Sequence, residues 1–449
     1  MTNKRQFLKT TTPRAVGAIL SRVAKAEEPV AHETNWAGNL RYNADQIFAP
    51  RSVEEVQKIV KECASIRALG SRHSFNTIAD SLTNHISLQH LDTIELDEKA
   101  YTVTVGAGVR YGALAPVIDV KGFAVHNLAS LPHITIAGAI ATATHGSGMK
   151  NGNLATAVRA LEIVTASGEI LTLTRDRDQD QFNGAVVGLG AVGIIAKVTL
   201  DLQPRFDMTQ IVYRNLSINQ LEHNLEAIFA SGYSVSLFTN WQNHNINQVW
   251  IKRRRFAGEN HEIAPEFYGA NAATENLHPI DGLSAVNCTE QLSVSGPWYE
   301  RLPHFKMNFT PSSGAELQTE YFVPRNRGYE AIVAVEQLRD KITPHLLVTE
   351  LRAVAADDLW MSMAYERNSL AIHFTWKPEP AEVMALLPKI EEKLAPFQAR
   401  PHWGKLFTVA PSQLAARHPK MADFKALLNH HDPQGKFSNK FIDRNIFGA

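Results

Sequence analysis

The most informative stretch of the chain is Ile66-Arg67-Ala68-Leu69-Gly70-Ser71-Arg72-His73-Ser74-Phe75. Its first four residues predict a short buried strand, which Gly70 ends. The residues that follow are small or polar, and their backbone N–H groups can wrap a pyrophosphate. The stretch therefore predicts a strand followed by a loop that is suited to a phosphate-bearing ligand.

A second stretch, residues 129–148, has the same character. It runs from Ala129-Ser130-Leu131-Pro132-His133 through Gly138 to Thr142-Ala143-Thr144-His145, and it contains more small and hydroxyl residues than one turn requires. Either loop alone is compatible with an ordinary structural turn. Together they indicate that backbone in this half of the chain lies close to a large anionic ligand.

Secondary structure can be predicted around these loops. Ser52 to Glu55 form a capping box before a helix that runs towards Ser65. Residues 86–88 and 101–105 are predicted strands. From about residue 205 the character changes, because residues 233–239 and 248–252 alternate as antiparallel strands do. Residues 331–338 and 381–394 are predicted amphipathic helices, and residues 432–435 a turn.

Length and composition limit the class of protein. The 449 residues favour two packed domains, and 44% hydrophobic with 20% charged residues is ordinary for a globular protein. Lys+Arg and Asp+Glu are both 45, so a nucleic-acid partner is not expected. Two cysteines, Cys63 and Cys288, fit a reducing compartment and exclude a cysteine-based zinc site. No metal is expected. No membrane association is expected either, since no apolar run has the length of a transmembrane helix.

The N-terminus, residues 1–34, is predicted to be a tail or a degenerate targeting segment. Lys4-Arg5-Gln6-Phe7-Leu8-Lys9 resembles a twin-arginine signal with Lys in place of the first Arg. The apolar stretch after it is short. A cytoplasmic location is therefore favoured, with twin-arginine export as the alternative.

One glycine motif is interpreted as a decoy. Residues 188–193 match the dinucleotide fingerprint in letters, but that fingerprint needs a helix after it. The residues that follow, 194–200, are β-branched and predict a strand. We therefore expect a tight turn into a strand and no Rossmann nicotinamide site.

With these loops, the chain resembles a known family, the FAD-linked oxidases of the vanillyl-alcohol oxidase type, and most closely the bacterial alditol (xylitol) oxidases, which are related to aldonolactone oxidases. The resemblance covers residues 35 to 441. It rests on the 71–74 and 129–148 loops, on Asn35-Trp36-Ala37-Gly38, on the 432–441 tail, and on residues 287–291, 310–316 and 400–405.

The resemblance implies an α+β, two-domain FAD-binding fold of the vanillyl-alcohol oxidase/PCMH type. The FAD-binding domain would span residues 35–204 and an α+β substrate domain residues 205–410. Residues 411–449 would return to the FAD domain.

The resemblance also implies FAD bound covalently through His73. The link would be single, because no cysteine stands near Ser130. The implied FAD-lining residues are Gly70, Ser71, Arg72, His73, Ser74, Ser130, Thr135, Gly138, Thr142, Ala143, Thr144, His145, Ile195 and Lys405.

The substrate wall is indicated by spacing as well as by resemblance. Glu350 and Arg352 are two residues apart, as are His373 and Thr375, so on strands each pair shares a face. A half-exposed strand would show the same pattern. The resemblance places Ser130, Glu350, Arg352, His373, Thr375 and Lys405 around the substrate and flavin.

The expected reaction is oxidation of a terminal alcohol of an alditol such as xylitol or sorbitol, with O2 reduced to H2O2. The assigned catalytic residues are Glu350, Arg352, His373 and Lys405. His373 is the candidate acceptor of the hydroxyl proton, with an orienting role as the alternative. An aldonolactone oxidase or dehydrogenase on the same scaffold is the rival function.

Overall fold

The computed structural model describes residues 33–256, 263–307 and 316–449. From His32 to Ala449 the chain forms one compact unit. The predicted targeting motif at residues 4–9 falls outside the described residues. Within the described ranges, no helix has both the length and the apolar character needed to cross a membrane.

The described residues of the first half contribute ten strands and four helices. The strands are β1 (Gln46–Phe48), β2 (Arg67–Leu69), β3 (Asn84–Ser87), β4 (Ile94–Asp97), β5 (Thr102–Gly106), β6 (Phe123–Ala124), β7 (Val158–Val164), β8 (Ile170–Thr174), β9 (Ile194–Asp201) and β10 (Gln203–Pro204). The helices are α1 (Val53–Glu62), α2 (Tyr111–Asp119), α3 (Ile136–Ala141) and α4 (Arg175–Val186).

In the second half, the part of the chain that the structure describes contributes another ten strands and seven helices. The strands are β11 (Asp207–Ser217), β12 (Ser234–Thr239), β13 (Asn245–Arg255), β14 (Glu266–Phe267), β15 (Ala270–Ala272), β16 (Gly296–Pro297), β17 (Leu317–Pro324), β18 (Leu346–Val354), β19 (Ser369–Trp376) and β20 (Arg400–Pro401). The helices are α5 (Gln220–Phe229), α6 (Gly328–Glu336), α7 (Arg339–Ile342), α8 (Pro380–Leu394), α9 (Pro411–Arg417), α10 (Met421–His431) and α11 (Lys440–Ile442).

The strands of the first half form two main sheets. A parallel sheet has the order β1-β3-β2, and an antiparallel sheet has the order β4-β5-β9-β7-β8. Helix α1 begins as the capping box predicts, since the Ser52 hydroxyl accepts the Glu55 N–H at 3.3 Å. The residues before β9 form a turn, which confirms that the 188–193 motif leads into a strand.

One ten-stranded sheet dominates the second half. Its order is β14-β15-β11-β13-β12-β18-β19-β17-β20, with β16 added beside β11. Helices α5, α6 and α8 cover one face, where Leu225, Val335 and Ile390 pack on Leu351 and Ile372. Burial of this apolar face leaves the alternate residues of β17, β18 and β19 on the other face.

The C-terminal segment lies beside the strand at the start of the 66–75 stretch. The Ile66 N–H donates to the Lys436 carbonyl at 2.9 Å, and Phe437 is fully buried with Val56 and Ile66. The side-chain amide of Asn439 donates to the carbonyls of the short 3₁₀ turn at residues 77–80. The two ends of the described chain therefore build one core.

Candidate active site

A cavity of about 540 Å³ lies between the loops of the first half and the open face of the ten-stranded sheet. From the loops it is lined by Trp36, Gly70, Ser71, Arg72, His73, Ser74, Phe75, Ala129, Ser130, Gly138, Thr142, Thr144 and His145. From the second half it is lined by Phe238, His304, Glu316, Gln318, Glu320, Glu350, Arg352, His373, Thr375, His402 and Lys405. The two sets of residues singled out from the sequence thus meet in one cavity.

The 70–74 loop has the features of a cradle for an anionic group. Arg72 has a φ of 63°, which turns the loop back on itself. None of the backbone N–H groups of residues 71–74 has an acceptor among the described residues. A Cβ at Gly70 would come within 2.7 Å of Thr135 Oγ1, so only glycine permits this close approach. Free amides in such a loop suit a pyrophosphate, so the residues fit FAD.

The His73 ring is held in a fixed orientation at the cavity wall. Its Nδ1 lies 2.8 Å from the Ser71 carbonyl, and Trp36 stacks on it with ring centroids 5.0 Å apart. Burial lowers the pKa of His73 to about 4, and Lys405 also lowers it. The imidazole is therefore neutral at physiological pH and retains a nitrogen lone pair.

The polar residues of β17, β19 and β18 face one another across the sheet. His373 is opposite Glu320 on one side and opposite Glu350 on the other. Arg352 Nη2 donates to Glu320 Oε1 at 2.6 Å, and Nη1 lies 3.4 Å from Ser130 Oγ. The loop that contains Ser130 in the first half is thereby joined to β18 of the second half.

The charges in this cluster are balanced by contact. Burial alone would raise the pKa of Glu320, but Arg352, His145 and His373 hold it well below its ordinary value. The pKa of Glu350 is likewise lowered, by Arg352 and His304. Both carboxylates are therefore ionised next to a guanidinium that is always charged.

Two further groups complete the polar end of the cavity. His373 Nε2 lies 3.1 Å from Thr375 Oγ1, and burial lowers the pKa of His373 to about 4. Lys405 Nζ contacts the Gln318 side chain and lies 5.1 Å from the Phe75 ring centroid. Burial lowers the pKa of Lys405 to about 8, with Glu320 acting in the opposite direction. At neutral pH the cavity thus contains a neutral imidazole and a mostly protonated amine.

Three residues implied as FAD-lining do not reach the cavity surface. Ala143 is fully buried beneath the loop, and Ile195 lies on β9 and packs against the core of the first half. Thr135 is buried between Gly70 and Gly138, where its hydroxyl has no partner among the described residues. By contrast Leu189 and Gly190, from the motif interpreted as a decoy, do line the cavity.

Sequence reasoning missed Glu320, His304 and Gln318. Gln318 and Glu320 have the same two-residue spacing as Glu350 and Arg352, so the signal was present. Nothing in the sequence shows that β17 pairs with β19, and that pairing is what places Glu320 beside His373.

Comparison with known proteins decides the family. Residues 44–174 match the FAD binding domain family, and residues 311–445 match the D-arabinono-1,4-lactone oxidase family. The chain is 45% identical over 414 residues to an alditol oxidase of a Streptomyces species, across 91% of this chain and 97% of the relative. The chain belongs to the alditol oxidase family of FAD-linked oxidases.

Other relatives are more distant. The L-gulono-1,4-lactone dehydrogenase of Mycobacterium tuberculosis is 28% identical over 432 residues, covering 92% of this chain and 98% of the relative. The crystal structure of cholesterol oxidase from B. sterolicum superposes with a TM-score of 0.75 at 15% identity, covering 92% and 96% of the two chains. That likeness concerns the fold, and it confirms the predicted α+β FAD-binding architecture. Membership of the alditol oxidase family confirms FAD as the cofactor and an oxidoreductase as the class of enzyme.

Proposed function

We propose that this protein oxidises the terminal alcohol of alditols such as xylitol and sorbitol to the aldose, with O2 reduced to H2O2. The observation that carries the proposal is the ladder of Glu320, His373 and Glu350 with Arg352, which faces the same cavity as the 70–74 loop. The 45% identity to an alditol oxidase supports the choice of substrate. Such a wall has donors and acceptors for several adjacent hydroxyls.

The cofactor in this proposal is FAD linked covalently through His73. The fixed, neutral imidazole supports that role, because a lone pair is needed to bond to carbon. When bound, FAD would supply the two-electron redox chemistry that links oxidation of the alcohol to reduction of O2. Ala129 is a small residue at the cavity wall next to Ser130, which leaves room for O2.

The side chains divide the remaining work. Ser130, Glu350, Arg352 and Thr375 bind and orient the hydroxyls, since charged and directional hydrogen bonds fix geometry. His373 Nδ1 lies 3.5 Å from Glu320 Oε2, which favours a proton on Nδ1 and a lone pair on Nε2. Nε2, which also lies 3.1 Å from Thr375 Oγ1, is the acceptor of the hydroxyl proton in this proposal. The Lys405 cation stabilises the negative charge that develops on the substrate oxygen as its proton moves to His373.

A lactone oxidase or dehydrogenase is the second candidate. The match of residues 311–445 to the D-arabinono-1,4-lactone oxidase family favours it. Both candidates use the same cofactor and scaffold, so only substrate preference separates them.

The test is a substrate panel with peroxide detection on purified protein. Xylitol and sorbitol should be oxidised faster than glycerol and far faster than simple alkanols, because buried polar groups left unpaired penalise a substrate that lacks hydroxyls. Arg352→Ala should lower kcat/KM for xylitol at least about tenfold, since a hydrogen bond to a charged group contributes about 1.5–3 kcal/mol. Thr375→Ala should lower kcat/KM by less than Arg352→Ala does, because a neutral hydrogen bond is weaker than a charged one. A kcat/KM that favours L-gulono- or L-galactono-lactone over every alditol would replace the first function with the second.

The covalent link has a separate test. Acid-precipitated wild-type protein should stay yellow, and its band on a denaturing gel should fluoresce, whereas His73→Ala should release its flavin. Ser74→Ala, at the next position of the loop, is the matched control and should retain the colour. Yellow colour that leaves the wild-type protein with the supernatant would rule out the link.

A further inference from the structure

Lys252 is a buried lysine that the proposed mechanism does not use. It lies on β13 and is 1% exposed. Its ammonium group contacts the carbonyls of Leu302 at 2.6 Å and Pro303 at 3.0 Å, and His304 Nδ1 at 3.3 Å. Burying an amine is costly unless its contacts compensate, and one of these contacts is to His304, which lines the cavity.

The chain of contacts continues from His304 into the cavity. His304 Nε2 lies 2.8 Å from Glu350 Oε1, and the imidazole ring packs edge-on against Phe238 and Trp250. The His304 backbone N–H also donates to the Ser130 carbonyl at 3.3 Å. The His304 side chain thus connects Lys252 to the carboxylate of Glu350, which is predicted to bind the substrate.

The direction of these hydrogen bonds follows from their chemistry. Burial lowers the pKa of Lys252 to about 7, and Glu350 acts in the opposite direction. Below about pH 7 the group is mostly an ammonium, which can only donate, so His304 Nδ1 accepts. Burial lowers the pKa of His304, so the ring is neutral and carries its one hydrogen on Nε2. That hydrogen is donated to Glu350 Oε1. Glu350 Oε2 accepts no hydrogen bond from the described residues, and Glu350 lines the cavity.

We infer that Lys252 and His304 are positioning residues, which hold Glu350 by one oxygen so that the other oxygen accepts a substrate hydroxyl. Lys252 acts by fixing the His304 tautomer. In the opposite tautomer, the Nε2 lone pair would face the carboxylate and the contact would be repulsive. The inference rests on the proposed function only in taking the hydroxyl-bearing molecule to be a polyol.

Two variants at His304 test the donor itself. His304→Phe retains the packing against Phe238 and Trp250 but removes the donor. His304→Gln retains an N–H donor and has no tautomer to fix. With xylitol, His304→Phe should lower kcat/KM at least about tenfold, while His304→Gln should remain within about threefold of wild type, because a hydrogen bond to a carboxylate is a strong one.

Lys252→Met tests the longer-range contact. In the wild-type background it should lower kcat/KM at least about fivefold, and in the His304→Gln background by less than about twofold, because coupled residues are not additive. If Lys252→Met acted only through lost packing, kcat/KM would fall by the same factor in both backgrounds. Arg253→Met, at the next position of β13, is the matched control and should leave kcat/KM unchanged in both backgrounds. Flavin content and melting temperature are measured on every variant.

Each outcome decides the question. Equal losses for Lys252→Met in both backgrounds, or equal activities of the Phe and Gln variants, would overturn the inference and leave the proposed function intact. If no polyol reduced the flavin of the wild-type protein, the proposed function would be overturned, and this role of Glu350 with it. The His304 pair leaves the lysine in place, so it decides even where Lys252→Met does not fold.

Discussion

At the scale of single residues, burial sets the protonation states on which the proposed chemistry depends. His373 and Lys405 are both buried at the polar end of the cavity, and desolvation lowers both pKa values, to about 4 and about 8. His373 must be neutral to accept a proton, and Lys405 must be charged to stabilise an anion. Both conditions hold between these two values.

We therefore predict a bell-shaped pH dependence of kcat/KM for xylitol. Activity should rise as His373 loses its proton through about pH 4 and fall as Lys405 loses its proton through about pH 8. Glu320, Glu316 and Glu350 keep Lys405 charged, and Arg352 opposes them. Initial rates between pH 3.5 and pH 10 measure the profile, with the fold checked by fluorescence at each pH.

Lys405→Arg assigns the alkaline limb of that profile. A guanidinium stays charged far above the range in which lysine titrates, so the alkaline limb should move to higher pH even though the rate falls. An alkaline limb that does not move in this variant would assign the titration to another group.

At the scale of elements, strand pairing explains what could and could not be read from the sequence. The two-residue spacing of Glu350 with Arg352 and of His373 with Thr375 predicted that each pair shares a strand face, and β18 and β19 confirm both. The partner strand is a long-range choice that residue spacing does not encode. Glu320 was missed for that reason, although it contacts three polar residues of the cluster.

Glu320→Gln should destabilise the protein, because it removes the charge that compensates buried Arg352. A hydrogen bond to a charged group contributes about 1.5–3 kcal/mol, and the free energy of unfolding at pH 7 should fall by that order. Because the pKa of Glu320 is lowered in the folded protein, its ionisation adds to the free energy of unfolding at pH values above the unfolded-state pKa of about 4.3. This contribution is lost as the pH falls below that value. The difference between wild type and variant should thus shrink below about pH 4. Glu316→Gln, two residues earlier in the sequence, is the control.

Urea titrations at pH 7 and below pH 4 measure that difference. A difference that stays constant with pH would mean that Glu320 acts through packing and carries no extra charge stabilisation.

At the scale of the whole molecule, the cavity depends on residues from both ends of the described chain. The predicted boundary near residue 204 follows a change in sequence pattern, which periodicity can reveal, whereas the predicted boundary near residue 410 rests on the family resemblance. That residues 411–449 return to the first half came from family resemblance alone, because no local pattern encodes a contact over more than 350 residues. Buried Arg67 carries this connection: its guanidinium donates to the carbonyls of Leu189, Gly190 and Phe437, and its side chain lines the cavity.

Phe437→Ala should therefore lower the stability of the FAD-binding half, although Phe437 is far in sequence from the residues that line the cavity. Phe437 is fully buried with Val56 and Ile66, and truncating a buried phenylalanine typically costs about 3–5 kcal/mol. Phe447→Ala is the matched control, since that ring is 36% exposed and a surface change should alter stability by no more than about 0.5 kcal/mol. Unfolding is followed by tryptophan and flavin fluorescence in the same sample. Because the segment packs beside β2 and the 70–74 loop, both signals of Phe437→Ala should move to lower denaturant together. A flavin transition that stays at the wild-type midpoint while the tryptophan transition moves would show that the C-terminal segment stabilises some other part of the molecule.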